Sequence, residues 1–176
     1  MNKQRTIDIR YLRMARIWSE NSYAIRRKVG ALVVKNNMII SDGYNGTPSG
    51  FENVCEFISD NPLDKDNNVS DESKRKYLTY KQNHDGIKLV TKPYVLHAEA
   101  NAISKLAKSN NSSEGSTLYI TDSPCLECSK LIIQSGIVRV VYERQYRITY
   151  GIDLLKRANI EVVNIGTDEI NNSKRQ

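Results

Sequence analysis

Cysteine is scarce in this chain: three residues among 176, at positions 55, 125 and 128. An odd count with one close pair does not make the disulfide framework of a small secreted domain. It points to a reducing, cytoplasmic compartment. Long apolar runs are missing as well. No stretch of about eighteen apolar residues occurs, so no membrane-spanning helix is expected. The start, Met1-Asn2-Lys3-Gln4-Arg5-Thr6, leads into a charged amphipathic pattern without the apolar core of a signal peptide. There is no internal repeat, no concentrated basic tail and no alternation of basic with aromatic residues. The last two absences weigh against a nucleic-acid track, although the formal net charge of +6 favours an anionic partner. With 39% apolar and 26% charged residues the composition is that of an ordinary globular protein, and the length suits one domain over residues 1–176.

Residues 7–20 have helical spacing, with Ile7, Tyr11, Met14, Ala15 and Trp18 as the expected core-facing stripe. The next loop, Ser22-Tyr23-Ala24-Ile25-Arg26-Arg27-Lys28-Val29-Gly30, is dense in cations and reads as a solvated surface or as a phosphate site. Strands are expected over 31–35 and 38–41, joined by Asn36-Asn37 as a two-residue hairpin turn. Residues 42–50 hold three glycines and a proline. They read equally as a turn with Asn45-Gly46 at positive φ, or as a close approach of backbone and Asn45 amide to a small ligand. Residues 52–92 are polar and weakly periodic, which predicts an insertion or lid with a short helix over 74–82.

Beyond it, helices over 98–107, 125–134 and 150–158 alternate with strands over 116–120, 137–142 and 160–165. Leu126, Leu131, Ile132 and Ile133 are the expected buried positions of the second of these helices. A polar tail over 166–176 is expected to fray. This order predicts an α/β fold of three layers, α/β/α, around a mixed five-stranded sheet. Its first two strands form an antiparallel hairpin, its later strands run parallel, and helices cover both faces.

The chemistry concentrates at His97-Ala98-Glu99 and Pro124-Cys125-Leu126-Glu127-Cys128. His97, Cys125 and Cys128 offer three metal ligands, and Glu99 is left over. Structural zinc sites are usually closed by four protein ligands, whereas catalytic ones keep a position for water. Three donors with a spare carboxylate therefore predict a working zinc (Zn2+). His97 and Cys125 each open a helix, where the dipole and free backbone N–H groups favour the thiolate that binds zinc. Cys125 and Cys128 are three apart and share a helix face, so both sulfurs reach one ion. Glu99 can take a proton from the activated water, pass it to a ring nitrogen and later protonate a departing amine. A Cys-x-x-Cys alone would also suit a redox pair or half a structural site. No second one exists, which removes the usual zinc ribbon, and the upstream His-Ala-Glu makes the constellation specific. Cys55 reads as a small buried residue, and His84 as part of a polar segment.

The pattern His-x-Glu followed by Pro-Cys-x-x-Cys is the known signature of zinc deaminases. Four further stretches accompany it: Arg26-Arg27-Lys28-Val29-Gly30-Ala31, Gly43-Tyr44-Asn45-Gly46-Thr47-Pro48, Ala100-Asn101-Ala102-Ile103 and Leu131-Ile132-Ile133-Gln134-Ser135-Gly136-Ile137. On these, residues 8–165 resemble the cytidine deaminase superfamily and, within it, the deoxycytidylate (dCMP) deaminases. The resemblance implies a hydrolase acting on the C–N bond of a cyclic amidine. It would convert dCMP to dUMP and ammonia and supply dUMP for thymidylate synthesis. It implies zinc on His97, Cys125 and Cys128, with Glu99 as the proton shuttle. It places Asn45 at the sugar and Ala98 against the substrate. Phosphate recognition falls to cations among Arg26, Lys28, Arg144 and Arg147, for which the planar fork of arginine is suited. Gly43, Tyr44, Asn45 and Gly46, with Lys28, are implied in binding regulatory nucleotides. Relatives form homo-oligomers, often hexamers, activated by dCTP and inhibited by dTTP. Many carry a cysteine where this chain has Ala24, so a second, structural zinc is not expected.

Two other readings fit parts of the pattern. A deaminase acting on a base in nucleic acid, tRNA adenosine or cytosine, shares the zinc motifs and would show steep salt dependence of binding. A zinc-stabilised binding module without activity would unfold when the metal is removed.

Overall fold

The computed structural model describes residues 3–58 and 89–173. Within them the elements are, in chain order, α1 (Lys3–Ser19), β1 (Gly30–Lys35), β2 (Met38–Tyr44), β3 (Glu56–Ile58), β4 (Leu89–Thr91), α2 (Ala98–Leu106), β5 (Thr117–Asp122), α3 (Leu126–Gln134), β6 (Arg139–Arg144), α4 (Tyr150–Arg157), β7 (Glu161–Asn164) and α5 (Thr167–Asn172). Asn36 and Asn37 turn the chain from β1 to β2 at φ 51° and 62°. That left-handed pair is what a two-residue hairpin needs, and Asn tolerates it through its short polar side chain. The expected hairpin is therefore present.

Five strands make one sheet in the order β2-β1-β5-β6-β7. β1 is antiparallel to both β2 and β5, while β5, β6 and β7 run parallel. Parallel neighbours require long crossovers, and α3 and α4 supply them. Side chains of a strand alternate between faces, and the core follows that period of two. Ala31, Val33, Leu118, Ile120, Val140 and Tyr142 face α2, α3 and α4, where Ala102, Ile132, Ile152 and Leu155 meet them. Leu32, Val34, Tyr119 and Val141 face the other way, onto Ile9, Leu12 and Ala15 of α1 and Ile170 of α5. The three-layer mixed sheet matches the expected fold class.

Three local expectations are corrected. On α1 the buried residues are Asp8, Ile9, Leu12 and Ala15, whereas Met14 and Trp18 are 44% and 38% exposed. A hydrophobic pattern cannot place a carboxylate inside. Asp8 is there because Arg139 grips it with two N–H donors at 2.8 and 2.9 Å, and Tyr119 Oη donates to it at 2.9 Å. On α3, Leu126 and Leu131 are exposed while Cys128, Ser129 and Ile132 are buried, because the buried face is the one that carries the second cysteine. The tail does not simply fray from 166. Residues Thr167–Asn172 form α5, whose Ile170 is fully buried. Two arginine pairs tie it and the adjacent strand to α1: Arg5 to Glu169, and Arg16 to the buried Glu143, which also accepts from Thr167 Oγ1.

Residues expected as an insertion contribute a small two-stranded sheet, β3 paired antiparallel with β4. The short helix expected over 74–82, and His84, lie outside the described residues. The loop at 42–50 differs from the turn expectation: neither Asn45 nor Gly46 has positive φ, although Gly50 does. Gly46 instead bridges Leu96 through backbone hydrogen bonds of 3.1 and 2.8 Å.

Gly43 is where β2 crosses α2. A Cβ there would stand 2.2 Å from the Ala98 carbonyl oxygen and 2.6 Å from the Ala102 nitrogen, both main-chain atoms that cannot step aside. Gly43, expected among nucleotide contacts, is thus required by packing. Gly43→Ala should cost at least about 2 kcal/mol of stability. In a chain of this size that is a fall in Tm of about 4–8 °C. Thermal unfolding followed by circular dichroism checks it, and an unchanged Tm would show that the contact can relax freely.

Candidate active site

In open α/β sheets ligands sit beyond the carboxyl ends of the parallel strands. Here β5 and β6 end at Asp122 and Arg144, and antiparallel β1 begins beside them at Gly30. A cleft of about 650 Å³ lies at that edge. Its lining includes Arg26, Arg27 and Val29, Asn45, Glu56, His97 to Glu99, Asp122, Ser123 and Cys125, and Gln145 to Arg147.

His97 is the N-cap of α2 and Cys125 the N-cap of α3, each with extended backbone (ψ 157° and 172°). Both helices therefore direct their free N–H ends toward one point, and the Cys128 N–H reaches the Cys125 sulfur at 3.5 Å. His97 Nδ1 lies 3.5 Å from Cys125 Sγ and 3.4 Å from Cys128 Sγ. Among the described residues these three form the group close enough to share a metal, with all donor atoms within 4.8 Å of one another. The set is one imidazole and two thiols, a combination that suits zinc and not a hard cation such as magnesium. The electrostatics agree with that reading. Hydrogen bonding from Cys128, opposed by burial and helped by His97, draws the Cys125 thiol down to about 3. The same contact and burial push Cys128 up. The Cys125 contact holds the His97 imidazole above its ordinary value, against burial. The residues present fit the zinc that the motif predicts.

Glu99 lies two residues into the cleft side of α2 and is only 4% exposed. Burial raises its carboxyl to about 7, with His97 acting in the opposite direction. A glutamate of ordinary acidity would not be able to hold a proton near neutrality.

Of the other expected contacts, Asn45, Ala98, Arg26 and Arg147 all line the cleft. Asn45 is occupied by its own protein: Oδ1 accepts from the Val29 N–H at 2.8 Å and Nδ2 donates to the Arg27 carbonyl at 2.9 Å. Lys28 does not line the cleft; its Nζ donates to the Glu20 carbonyl at 3.2 Å. Arg144 does not line it either and is paired with Asp122. Tyr44 lies beside Lys105, whose Nζ is 5.9 Å from the ring centre. Cys55 packs with Ala24 and Val95 in an apolar cluster, and burial pushes its thiol up to about 11.

Three charged cleft residues were not named individually as site residues from the sequence. Arg27 binds Asp122 through Nε at 2.6 Å, and Asp122 also accepts from Arg144 Nε at 2.6 Å. Glu56, buried on β3, accepts from the Ile25 and Arg26 N–H groups at 3.1 Å. Nothing in the sequence distinguished Arg27 from its neighbour Arg26, and the two acids stood in stretches without a motif.

The family profile described as the cytidine and deoxycytidylate deaminase zinc-binding region matches residues 5–144. This chain belongs to that family. Among similar deaminases, the deoxycytidylate deaminase of Enterobacteria phage T4 is 35% identical over 174 residues, covering 91% of this chain and 90% of the relative. ComE operon protein 2 of Bacillus subtilis (strain 168) is 28% identical, covering 82% of this chain and 64% of that protein. The crystal structure of dCMP deaminase from the cyanophage S-TIM5, in complex with dCMP and dUMP, superposes with a TM-score of 0.71 at 39% identity. It covers 94% of this chain and 99% of that one. This deaminase-family chain has a mixed five-stranded sheet. Among the described residues no helix is long and apolar enough to cross a membrane.

Proposed function

We propose that this protein hydrolyses dCMP to dUMP and ammonia, with zinc held by His97, Cys125 and Cys128. The observation that carries the reading is the convergence of those three donors and the buried Glu99 on one cleft edged by arginines. A zinc ion in such a site supplies a Lewis acid and a water acidic enough to react at neutral pH. The chain's own residues do the rest. Glu99 removes one proton from the attacking water as it adds to C4 of the cytosine ring and delivers it to N3; it then takes the remaining proton from the new C4 hydroxyl and gives it to the departing amine as the C4–N bond breaks. Water in, ammonia out, and the 4-oxo ring of dUMP remains, so the proton count closes. Ala98 forms the floor beside the ring, and Asn45, by tying residues 27–29, shapes the sugar end of the cleft. Arg26, Arg27 and Arg147 offer cations for the phosphate.

We extend the reading to a cytoplasmic homo-oligomer, a hexamer, responsive to dCTP and dTTP. Exposed apolar side chains on α1 and the β2 edge, including Ile17, Met38 and Ile39, support subunit contact. Tyr44, Gly46 and Lys28 are the accessible part of the effector motif, since Gly43 is taken up by packing. The nucleic-acid alternative is not favoured, because the similar proteins are named as deoxycytidylate deaminases.

The test is ammonia release by the zinc-loaded protein on dCMP, CMP and deoxycytidine, with dCTP or dTTP added in turn. Turnover greatest on dCMP is the expected result. Silence on all three, with zinc bound and the protein folded, would remove the proposal.

A further inference from the structure

We propose that Asp122 sets how many phosphates the cleft accepts, by aiming Arg27 and by keeping an anionic group at the cleft wall. The inference rests on the nucleotide reading above and names a determinant of its specificity. Asp122 ends β5 three residues before Cys125, and its side chain is 10% exposed. Both of its oxygens are used. Arg27 donates from Nε to Oδ2 at 2.6 Å and from Nη2 to Oδ1 at 2.9 Å, and Arg144 Nε donates to Oδ1 at 2.6 Å.

Arg27 is thereby held along one edge of its guanidinium. Its side chain is still 46% exposed and lines the cleft, and its Nη1 takes no part in the pair. The loop that carries it is pinned as well. Asn45 holds the Arg27 carbonyl and the Val29 N–H, and Glu56 holds the N–H groups of Ile25 and Arg26. A guanidinium fixed at its backbone and along one edge has lost its freedom before a ligand arrives. It presents the other edge to a phosphate oxygen with little further ordering.

The charges explain the limit on length. Three arginines line the cleft, Arg26, Arg27 and Arg147, and so do three carboxylate residues, Glu56, Glu99 and Asp122. A monophosphate brings close to two negative charges at neutral pH. Each additional phosphate adds negative charge near Asp122, whose two arginines are already shared with it. Like charges brought together reject the wrong partner more effectively than added contacts select the right one.

Asp122→Asn keeps an acceptor for the arginines and removes the charge. The experiment offers deoxycytidine, dCMP and dCTP to the zinc-loaded parent and variant, and separates dUMP from dUTP by chromatography. Because dUTP is read directly, activation by dCTP bound elsewhere is not mistaken for its turnover. The ratio of kcat/KM for dCTP to that for dCMP should rise at least about tenfold, with deoxycytidine little changed. A purely structural role would depress all three substrates together, and that result, or an unmoved ratio, overturns the inference. If the variant does not fold, Arg27→Gln decides. It should raise KM for dCMP with kcat retained and spare deoxycytidine, and equal loss on nucleoside and nucleotide overturns the inference. A parent silent on all three overturns the deaminase reading and this inference with it. A parent active on dCMP whose specificity does not move in the variant overturns this inference alone.

Discussion

Glu99→Gln should lower kcat on dCMP by about a thousandfold while the protein keeps its metal, the loss expected when a general acid–base is removed. The two side chains have the same shape and differ in one capability: the amide cannot accept and return a proton. Glu99 sits on α2 two residues from His97, inside the cleft and almost fully shielded from bulk water. Shielding makes the residue hard to replace, since buffer cannot reach the reacting atoms to carry protons in its place. KM should move only a few-fold, because the carboxylate acts on protons in transit and not on the sugar or phosphate. Zinc content by metal analysis, Tm and steady-state kinetics together make the test. A variant with full zinc and turnover within tenfold of the parent would exclude Glu99 as the proton carrier.

The second large effect concerns the metal donors. Cys128→Ser should weaken zinc binding by well over about a hundredfold, a loss that substitutions one shell further out already reach. Cys128 is 3% exposed, and its sulfur is within 3.4 Å of the His97 ring nitrogen. A serine hydroxyl is shorter and does not ionise near neutrality, so two donors would remain for an ion that needs three. Turnover should fall to background. The fold should survive, because its core does not depend on the metal. Two apolar layers, one on each sheet face, are closed by α2, α3 and α4 on one side and α1 and α5 on the other. Chelator-treated parent protein should accordingly melt cooperatively at a lowered temperature and recover activity when zinc is restored. Unfolding on chelation would instead favour a zinc whose work is structural.

Much of this was legible in the residues. The metal donors could be named because their chemistry is carried by rare residue types at fixed spacing, His-x-Glu and Cys-x-x-Cys, each at the start of a helix. The hairpin turn was legible because Asn36-Asn37 is a local device, and the parallel strands because apolar runs alternate with helical segments. Other features could not be read that way. The expected stripe on α1 holds in part: Ala15 is buried and Tyr11 packs on the core, whereas Met14 and Trp18 are exposed and the buried face includes Asp8, paired with Arg139 from 131 residues away. Gly43 was expected at a nucleotide through family resemblance alone, and the sequence did not show that the backbone of α2 leaves no room there for a side chain. The cation choices divided in the same way. Arg26 and Arg147 reach the cleft, whereas Lys28 and Arg144 are directed to other partners.

The division has a physical basis. Helix, strand and turn, and the ligand set of a metal, are local: neighbouring residues set them through backbone geometry, capping and spacing, so one dimension suffices. Which of several like-charged side chains faces a substrate is set by competition among partners distant in the chain. Arg27 is drawn to Asp122 from 95 residues away, and Glu56 fastens the preceding loop from a strand 30 residues on. Such pairings form only when the fold brings β5 and β1 of the large sheet and β3 of the small one together at one end.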